Sequence, residues 1–155
     1  MIKRSKDESK KQTITELVRG RAYGDNAQEI YLRCCDAFGW DKSQAECFTY
    51  GHRLYSPKDC DFNGNSVWFI CYSNLANTAI VKDKHVRNFF ENNGNRITES
   101  LADIEDNHAM GSSYNNRIVF AKYMDNKYHF CGVFKLVKYE QFERVHEIVS
   151  NTYPL

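Results

Sequence analysis

The stretch that decides the fold is Ile118-Val-Phe-Ala-Lys-Tyr-Met-Asp-Asn-Lys-Tyr-His-Phe-Cys-Gly-Val-Phe-Lys-Leu136. Aromatic and β-branched residues fill both of its halves, and the turn formers of Met124-Asp-Asn-Lys127 separate them. The pattern predicts strands over 118–123 and 128–136, joined by a tight turn. On the second strand, a spacing of two predicts one shared face for Tyr128, Phe130, Phe134 and Leu136.

Other strands are predicted on both sides of this hairpin. Gly132 inside the second strand indicates a bulge, a barrel bend or the close approach of another backbone. Val67-Trp-Phe-Ile-Cys-Tyr72 predicts a strand buried on both faces, which we place at the centre of the sheet. A small hairpin turns at Asn93-Gly94, and Val145-His-Glu-Ile-Val149 forms a final strand.

Helical patterns precede the strands. The spacing of Ile14, Leu17 and Val18 predicts a short helix over 13–19, ended by Gly20. Asp25 or Asn26 caps a second helix that ends at Gly39, and a third short segment covers 43–48. We therefore expect an α+β fold in which a small mixed or antiparallel β-barrel-like sheet follows two or three N-terminal helices. The apolar face of the second helix comprises Ala27, Ile30, Tyr31, Cys34 and Phe38.

The length of 155 residues fits one domain. Residues 1–11 are expected to form a flexible basic arm, and residues 12–155 a single α+β domain. Its helical part covers 12–48 and its β-rich part covers 66–149. Because the sequence has neither an export signal nor a long apolar run, we expect a cytoplasmic protein with no membrane contact.

Six cysteines and a small net charge narrow the classes of function. The cysteines stand at 34, 35, 47, 60, 71 and 131, without a Cys-x-x-Cys pair, so we expect free buried thiols and no metal. The net charge is +1, from 21 basic and 20 acidic residues, which gives no overall nucleic-acid field. Residues 1–24 carry seven basic and three acidic side chains, a local excess of +4.

Motifs for catalysis and for cofactors do not occur in the chain. It has no glycine-rich phosphate loop, no Gly-x-Ser-x-Gly elbow and no His-Glu-x-x-His pair. The five histidines are scattered. We therefore expect no cofactor, and the sequence names no catalytic residue.

Arg117–Leu136, followed by Arg144-Val-His-Glu-Ile148, resembles a module of the PUA-like β-barrel superfamily, which includes the SRA, EVE and ASCH types. The versions attached to bacterial restriction endonucleases and helicases are the most similar, and the resemblance covers about residues 66–149. It implies a binding module that holds a nucleobase, often a modified one extruded from DNA or RNA, between aromatic side chains. Small polar groups then read the edge of the base.

The resemblance directs attention to aromatic and polar residues at strand ends and in loops. For base or ligand contact the candidates are Trp40, Tyr50, Trp68, Tyr72, Ser73, Asn74, Asn77 and Phe90. For Trp68 the alternative is a place in the barrel core. For phosphate contact the candidates are Arg19, Arg21, Lys82, Lys84, Arg87 and Arg96.

Three functions remain open at the level of the sequence. The first is a nucleic-acid-binding module, partnered by DNA or RNA, that reads a modified or flipped base in DNA restriction or defence. The second is a phage or mobile-element factor that binds a protein partner and blocks a host defence, because Tyr and Asn make adaptable interfaces. The third is an enzyme acting on a small ligand in a barrel pocket, for which the sequence offers no acid/base pair.

Overall fold

The computed structural model of the protein describes residues 13–48, 65–71, 78–81, 84–100, 116–140 and 143–155. These ranges contain ten strands, one α-helix and one 3₁₀-helix. The helix α1 is Ala27–Phe38, and the 3₁₀-helix is Lys42–Phe48. The strands are β1 Leu17–Val18, β2 Ala22–Gly24, β3 Asn65–Cys71, β4 Thr78–Val81, β5 Lys84–Glu91, β6 Arg96–Ser100, β7 Asn116–Lys122, β8 Tyr128–Glu140, β9 Glu143–Ser150 and β10 Thr152–Tyr153.

Eight of the strands form one sheet in the order β3-β7-β8-β9-β6-β5-β4, with β2 paired to β8. β3 and β7 are parallel, and the other pairs are antiparallel. The predicted mixed sheet is therefore confirmed. The central place predicted for β3 is wrong, because among the described strands β3 contacts β7 alone and stands at the end of the order.

The sheet curls into a half-barrel. In a flat sheet, β7 and β6 would lie about 14 Å apart, since two strands separate them at spacings of about 4.8 Å. Nevertheless Arg117 Nη1 on β7 lies 3.2 Å from Glu99 Oε1 on β6. The rings of Trp68 on β3 and His146 on β9 lie 5.4 Å apart. We call the side that carries these residues the concave face.

The opposite side of the sheet packs against α1, and we call it the helix face. Ile30 and Tyr31 of α1 are fully buried in one cluster with Phe69, Phe120 and other strand residues. The rings of Phe69 and Phe120 are stacked with centroids 4.8 Å apart. Because both faces are covered, β3 is buried on both sides although it ends the strand order, and that part of its prediction is confirmed.

Helix α1 is the element that the sequence predicts best. The Asn26 side chain accepts a hydrogen bond from the Glu29 N–H at 2.9 Å, and Gly39 ends the helix with φ 76°. The predicted apolar residues Ala27, Ile30, Tyr31 and Cys34 are all buried.

The prediction of two or three N-terminal helices is wrong for the described residues. Leu17 and Val18 form β1, which pairs with Thr152 and Tyr153 of β10, so residues 13–19 are not a helix. A seven-residue segment gains too few intrahelical hydrogen bonds to offset helix nucleation, whereas pairing with β10 satisfies its backbone groups. The third predicted segment is the 3₁₀-helix, so α1 is the one α-helix in these ranges.

A bulge on β8 reverses the predicted pattern of its faces. Val119 pairs with Gly132 and the next residue, Phe120, pairs with Phe130, so Cys131 is an extra residue on β8. Gly132 has φ 125°, a backbone conformation that favours glycine. Tyr128 and Phe130 therefore lie on the helix face, whereas Phe134 lies on the concave face. The bulge prediction is confirmed, and the shared face predicted for Phe134 is wrong.

The predicted hairpin around Asn93-Gly94 is confirmed. β5 and β6 pair from Arg87 with Ser100 to Glu91 with Arg96. The four-residue turn between them uses positive φ at Asn92, Asn93 and Gly94. Gly94 donates a hydrogen bond to Glu91 O at 3.0 Å, which closes the turn.

Candidate ligand-binding site on the concave face

One end of the concave face carries a cluster of buried charged and polar side chains. Glu99 comes from β6, Arg117 from β7, and Arg144 and His146 from β9. Their exposure ranges from 0% to 3%, and Ser66 of β3 is equally buried. These residues come from four strands, so the curl of the sheet is what brings them together. We call these five residues the polar cluster.

Three members of the polar cluster share one carboxylate oxygen. Glu99 Oε1 accepts from Arg117 Nη1 at 3.2 Å and faces His146 Nε2 at 2.6 Å. Because an ionised carboxylate only accepts, His146 donates from Nε2, and a neutral ring then carries its lone pair on Nδ1.

Trp68 forms the aromatic wall of the polar cluster. The Arg117 guanidinium carbon lies 4.9 Å from the Trp68 ring centroid. The His146 ring lies 5.4 Å from it at an interplanar angle of 59°. The indole is 1% exposed, so its contacts in this structure are with the protein itself. Trp68 is thus buried, as the alternative place in the barrel core predicts, and its contact with a base stays a prediction.

The polar cluster shifts the pKa values of both titratable partners. Burial by itself raises the pKa of Glu99, but the charge of Arg117 and the hydrogen bond with His146 outweigh it. The pKa of Glu99 therefore lies below its ordinary value. Burial lowers the pKa of His146, and the charge of Arg117 acts in the same direction against the opposing effect of Glu99. At neutral pH the cluster holds an ionised carboxylate and a neutral imidazole.

Hydrogen-bonding capacity remains unused in the polar cluster. Within the described part of the chain, Glu99 Oε2, His146 Nδ1 and Ser66 Oγ have no hydrogen-bond partner. A buried polar atom without a partner costs about 1–3 kcal/mol. Glu99 Oε2 and His146 Nδ1 can only accept hydrogen bonds, so the arrangement suits a ligand that donates N–H groups.

Beyond the polar cluster the concave face is apolar, and its far end borders an open cavity. A second hydrophobic cluster begins at Trp68, and half-buried Phe90 packs against it. Phe90 and Cys131 also line an open cavity of about 710 Å³ at the far end. The apolar members between the two ends are Ile70, Ile97, Val119, Ala121, Cys131 and Phe134.

The structure brings together only part of the predicted base-contact set. Trp68 and Phe90 both lie on the concave face. Trp40 lies on the helix face, where its Nε1 donates to the Tyr153 hydroxyl at 3.2 Å. Trp40 therefore cannot share a pocket with Trp68, because the sheet separates them. The other candidates, Tyr50, Tyr72, Ser73, Asn74 and Asn77, lie outside the described residues.

The structure describes the side chains of three predicted phosphate-contact residues, Arg19, Arg21 and Arg96. Arg19 donates from Nη1 to Asn95 Oδ1 at 2.8 Å and from Nη2 to Asn93 O at 2.7 Å, which ties it to the β5–β6 turn. Arg96 forms an ion pair with Glu147 at 3.0 Å. Arg21 is exposed. Lys84 and Arg87 belong to β5 but their side chains are outside the description, as is the whole of Lys82.

Sequence reasoning missed Glu99, Arg117 and His146 as site residues. Glu99 lies at the start of a polar stretch that resembles a loop, and the other two lie in or next to segments whose pattern predicts strands. The spacing of residues along β7 is one signal for Arg117. Every second residue of a strand lies on the same face, so Arg117 shares a face with Val119 and Ala121, and that face is buried.

Cys34, Cys35 and Cys131 are free and buried, as predicted for the cysteines. Burial raises the pKa of the Cys131 thiol to about 12, which keeps it protonated. Among the described residues, no group of three or more His, Cys, Asp or Glu side chains is arranged to hold a metal ion. None of the helices described is long and apolar enough to cross a membrane.

Comparison with known proteins finds similarity to solved structures and not to a protein family. No protein-family model matches the chain, and none of the curated proteins matches it. One similar solved structure is the 5-hydroxymethylcytosine-specific restriction enzyme AbaSI, at 23% sequence identity and a TM-score of 0.45. The match covers 73% of this chain and 38% of that chain, so this chain spans less than half of the length of AbaSI.

Proposed function

We propose that the protein is a nucleic-acid-binding module that receives one unstacked base at the polar cluster of its concave face. The observation that carries this proposal is a pair of buried acceptors, Glu99 Oε2 and His146 Nδ1, that have no hydrogen-bond partner among the described residues. An extruded base needs fixed polar atoms for its edge and a wall of aromatic or apolar side chains. Trp68 and the apolar middle of the concave face supply that wall.

The polar cluster favours bases that carry an exocyclic amino group. Cytosine presents an N4 amino donor and adenine an N6 amino donor, whereas thymine presents a carbonyl oxygen at the equivalent position. A carboxylate such as that of Glu99 accepts from an amino group and opposes a carbonyl oxygen. We therefore place cytosine, adenine and, through its N2 amino group, guanine among the preferred bases. Modified cytosines belong to this set, as the resemblance of residues 66–149 implies.

Entry of a base requires movement on the concave face. Glu99 and His146 are completely buried, and the Trp68 ring is in contact with Arg117. A ligand reaches the cluster only after the groups that cover it shift. Association is therefore expected to be slower than the roughly 10⁵–10⁷ M⁻¹s⁻¹ typical of preformed surfaces. The same proposal assigns phosphate contact to exposed Arg21, so the affinity for nucleic acid is expected to fall as the salt concentration rises.

The experiment is a set of binding titrations followed by fluorescence anisotropy. Labelled duplexes and matched single strands carry cytosine, 5-hydroxymethylcytosine, adenine or thymine at one central position, each at two salt concentrations. We expect tighter binding for amino-bearing bases at the test position, and a loss of that preference in Glu99→Gln. Equal affinity for all bases in the wild-type protein would reject reading at this cluster.

The matched control for Glu99→Gln is Glu147→Gln. Glu147 lies on β9, is half-exposed and pairs with Arg96 outside the polar cluster. The two variants remove the same charge, so a general electrostatic effect changes both equally. A loss of base preference confined to Glu99→Gln supports the polar cluster as the site. An equal loss in both variants contradicts it.

A further inference from the structure

The open cavity at the far end of the concave face is separate from the polar cluster. Three turns surround it: the β1–β2 turn with Arg19, the β5–β6 turn with Asn93, and the β7–β8 turn with Tyr123 and Asp125. Its volume of about 710 Å³ is within the range of about 300–1,000 Å³ of small-ligand pockets. It is therefore large enough to hold a nucleotide-sized group.

The walls of the cavity present aromatic and apolar surface to solvent. The Tyr123 side chain is 43% exposed and Met124 beside it is 86% exposed. Phe90 also lines the cavity and is half-buried. Exposed aromatic rings inside a concavity mark a binding surface more often than isolated exposed apolar residues do.

Tyr123 is held in a fixed orientation. Its ring stacks on that of His129 at a centroid distance of 4.7 Å and an interplanar angle of 15°. His129 in turn contacts Asp125 Oδ2 through Nε2 at 2.8 Å and Gly20 O through Nδ1 at 3.2 Å. Two turns therefore fix the imidazole beneath the phenol ring. A ring held in this way loses little freedom when a ligand stacks on it.

We propose that this cavity is a second base-binding site, in which one unpaired nucleobase stacks against Tyr123 and Phe90. On the rim, Arg19 offers a guanidinium to a phosphate beside the aromatic walls, and the carboxylate of Asp125 is engaged by His129. The inference rests on the proposed function, since it assigns a second contact to the same nucleic acid. It implies that the ligand is single-stranded or locally melted around the base that the polar cluster reads.

The test uses a single strand of about eight nucleotides with 2-aminopurine at one position, because a single-strand site covers about 4–16 nucleotides. Stacking of 2-aminopurine on an aromatic ring quenches its fluorescence. We expect quenching by the wild-type protein and a roughly 5- to 150-fold weaker affinity for Tyr123→Leu. Tyr123→Phe keeps the ring and is expected to bind like the wild-type protein. Val137→Ala changes an exposed apolar residue of β8 elsewhere and serves as the surface control.

The outcomes separate this inference from the proposed function. If the wild-type protein binds no nucleic acid at low salt, both are rejected. If it binds with base preference and Tyr123→Leu binds equally well, the second site is rejected and the polar cluster stands. If Tyr123→Leu weakens binding while Glu99→Gln changes no preference, the cavity stands and the polar cluster is rejected as the reader. Thermal melting of Tyr123→Leu checks that the variant is folded.

Discussion

Glu99 is the residue on which the account depends most. Its carboxylate is fully buried. One oxygen, Oε1, contacts both Arg117 and His146, and the other, Oε2, has no partner among the described residues. Removing one member of a buried ion pair leaves an uncompensated charge, which makes such residues sensitive to substitution. Glu99 is therefore expected to link stability and the proposed base binding in one side chain.

Replacing Glu99 by leucine is expected to lower the free energy of unfolding by about 3–5 kcal/mol, because Arg117 then lacks its carboxylate partner. The double variant Glu99→Leu/Arg117→Leu is expected to lose less than the sum of the two single variants. Urea denaturation measures all three. If the double variant loses as much stability as the two single variants together, Glu99 and Arg117 are not energetically coupled.

Replacing Gly132 by alanine tests the bulge on β8. A Cβ at this position would lie 2.6 Å from Ile148 Cδ1 and 3.0 Å from Ser150 O, and the φ of 125° is unfavourable for alanine. Backbone strain alone costs about 1–3 kcal/mol. Gly20→Ala is the matched control, because Gly20 has φ 91° and nothing within 4 Å of its Cβ position. We expect a clearly larger loss of stability for Gly132→Ala, and equal losses would show that the close approach is relieved.

At the scale of elements, local signals predict well and distant pairing does not. The cap Asn26 and the terminator Gly39 lie next to α1 in the sequence, so its limits can be read directly. Strand β1 pairs with β10, which lies near the other end of the chain, and no local pattern around Leu17 indicates such a partner. The bulge after Phe130 likewise depends on how β8 pairs with β7.

The N-cap of α1 provides a prediction at this scale. Asn26→Ala removes the acceptor of the Glu29 N–H and is expected to lower the free energy of unfolding by about 0.5–2 kcal/mol. Asp25→Ala, one residue earlier and exposed, is expected to change it little. Thermal or urea unfolding compares the two. A loss for Asp25→Ala as large as that for Asn26→Ala would move the cap to Asp25.

For the whole molecule, the decisive feature is the curl of the sheet. It brings Glu99, Arg117 and His146 from three strands into one buried cluster. The sequence could predict the mixed sheet, the hairpins and buried Trp68. It could not predict the polar cluster, because charged residues far apart in sequence meet only when the curvature of the sheet is known.

Stability is expected to fall as the pH is lowered from 7 to 4. The folded pKa of His146 lies below its ordinary value of 6.5, so the unfolded chain binds a proton first and unfolding becomes easier below that pH. The folded pKa of Glu99 lies below 4.5, which adds a further loss below that value. Urea midpoints across this range measure the effect. Above pH 5 the urea midpoint of the His146→Gln variant should depend less on pH than that of the His129→Gln variant. Equal pH dependence in the two variants would contradict the role assigned to His146.

The fluorescence of Trp68 can show whether a base reaches the concave face. The chain has two tryptophans, and Trp40→Phe leaves Trp68 as the sole reporter. Its emission is followed while a short strand with one unpaired cytosine is added, in parallel with anisotropy of the labelled strand. We predict that Trp68 emission changes with the same dissociation constant as the anisotropy. Binding that saturates by anisotropy with unchanged Trp68 emission would show that the base is held elsewhere.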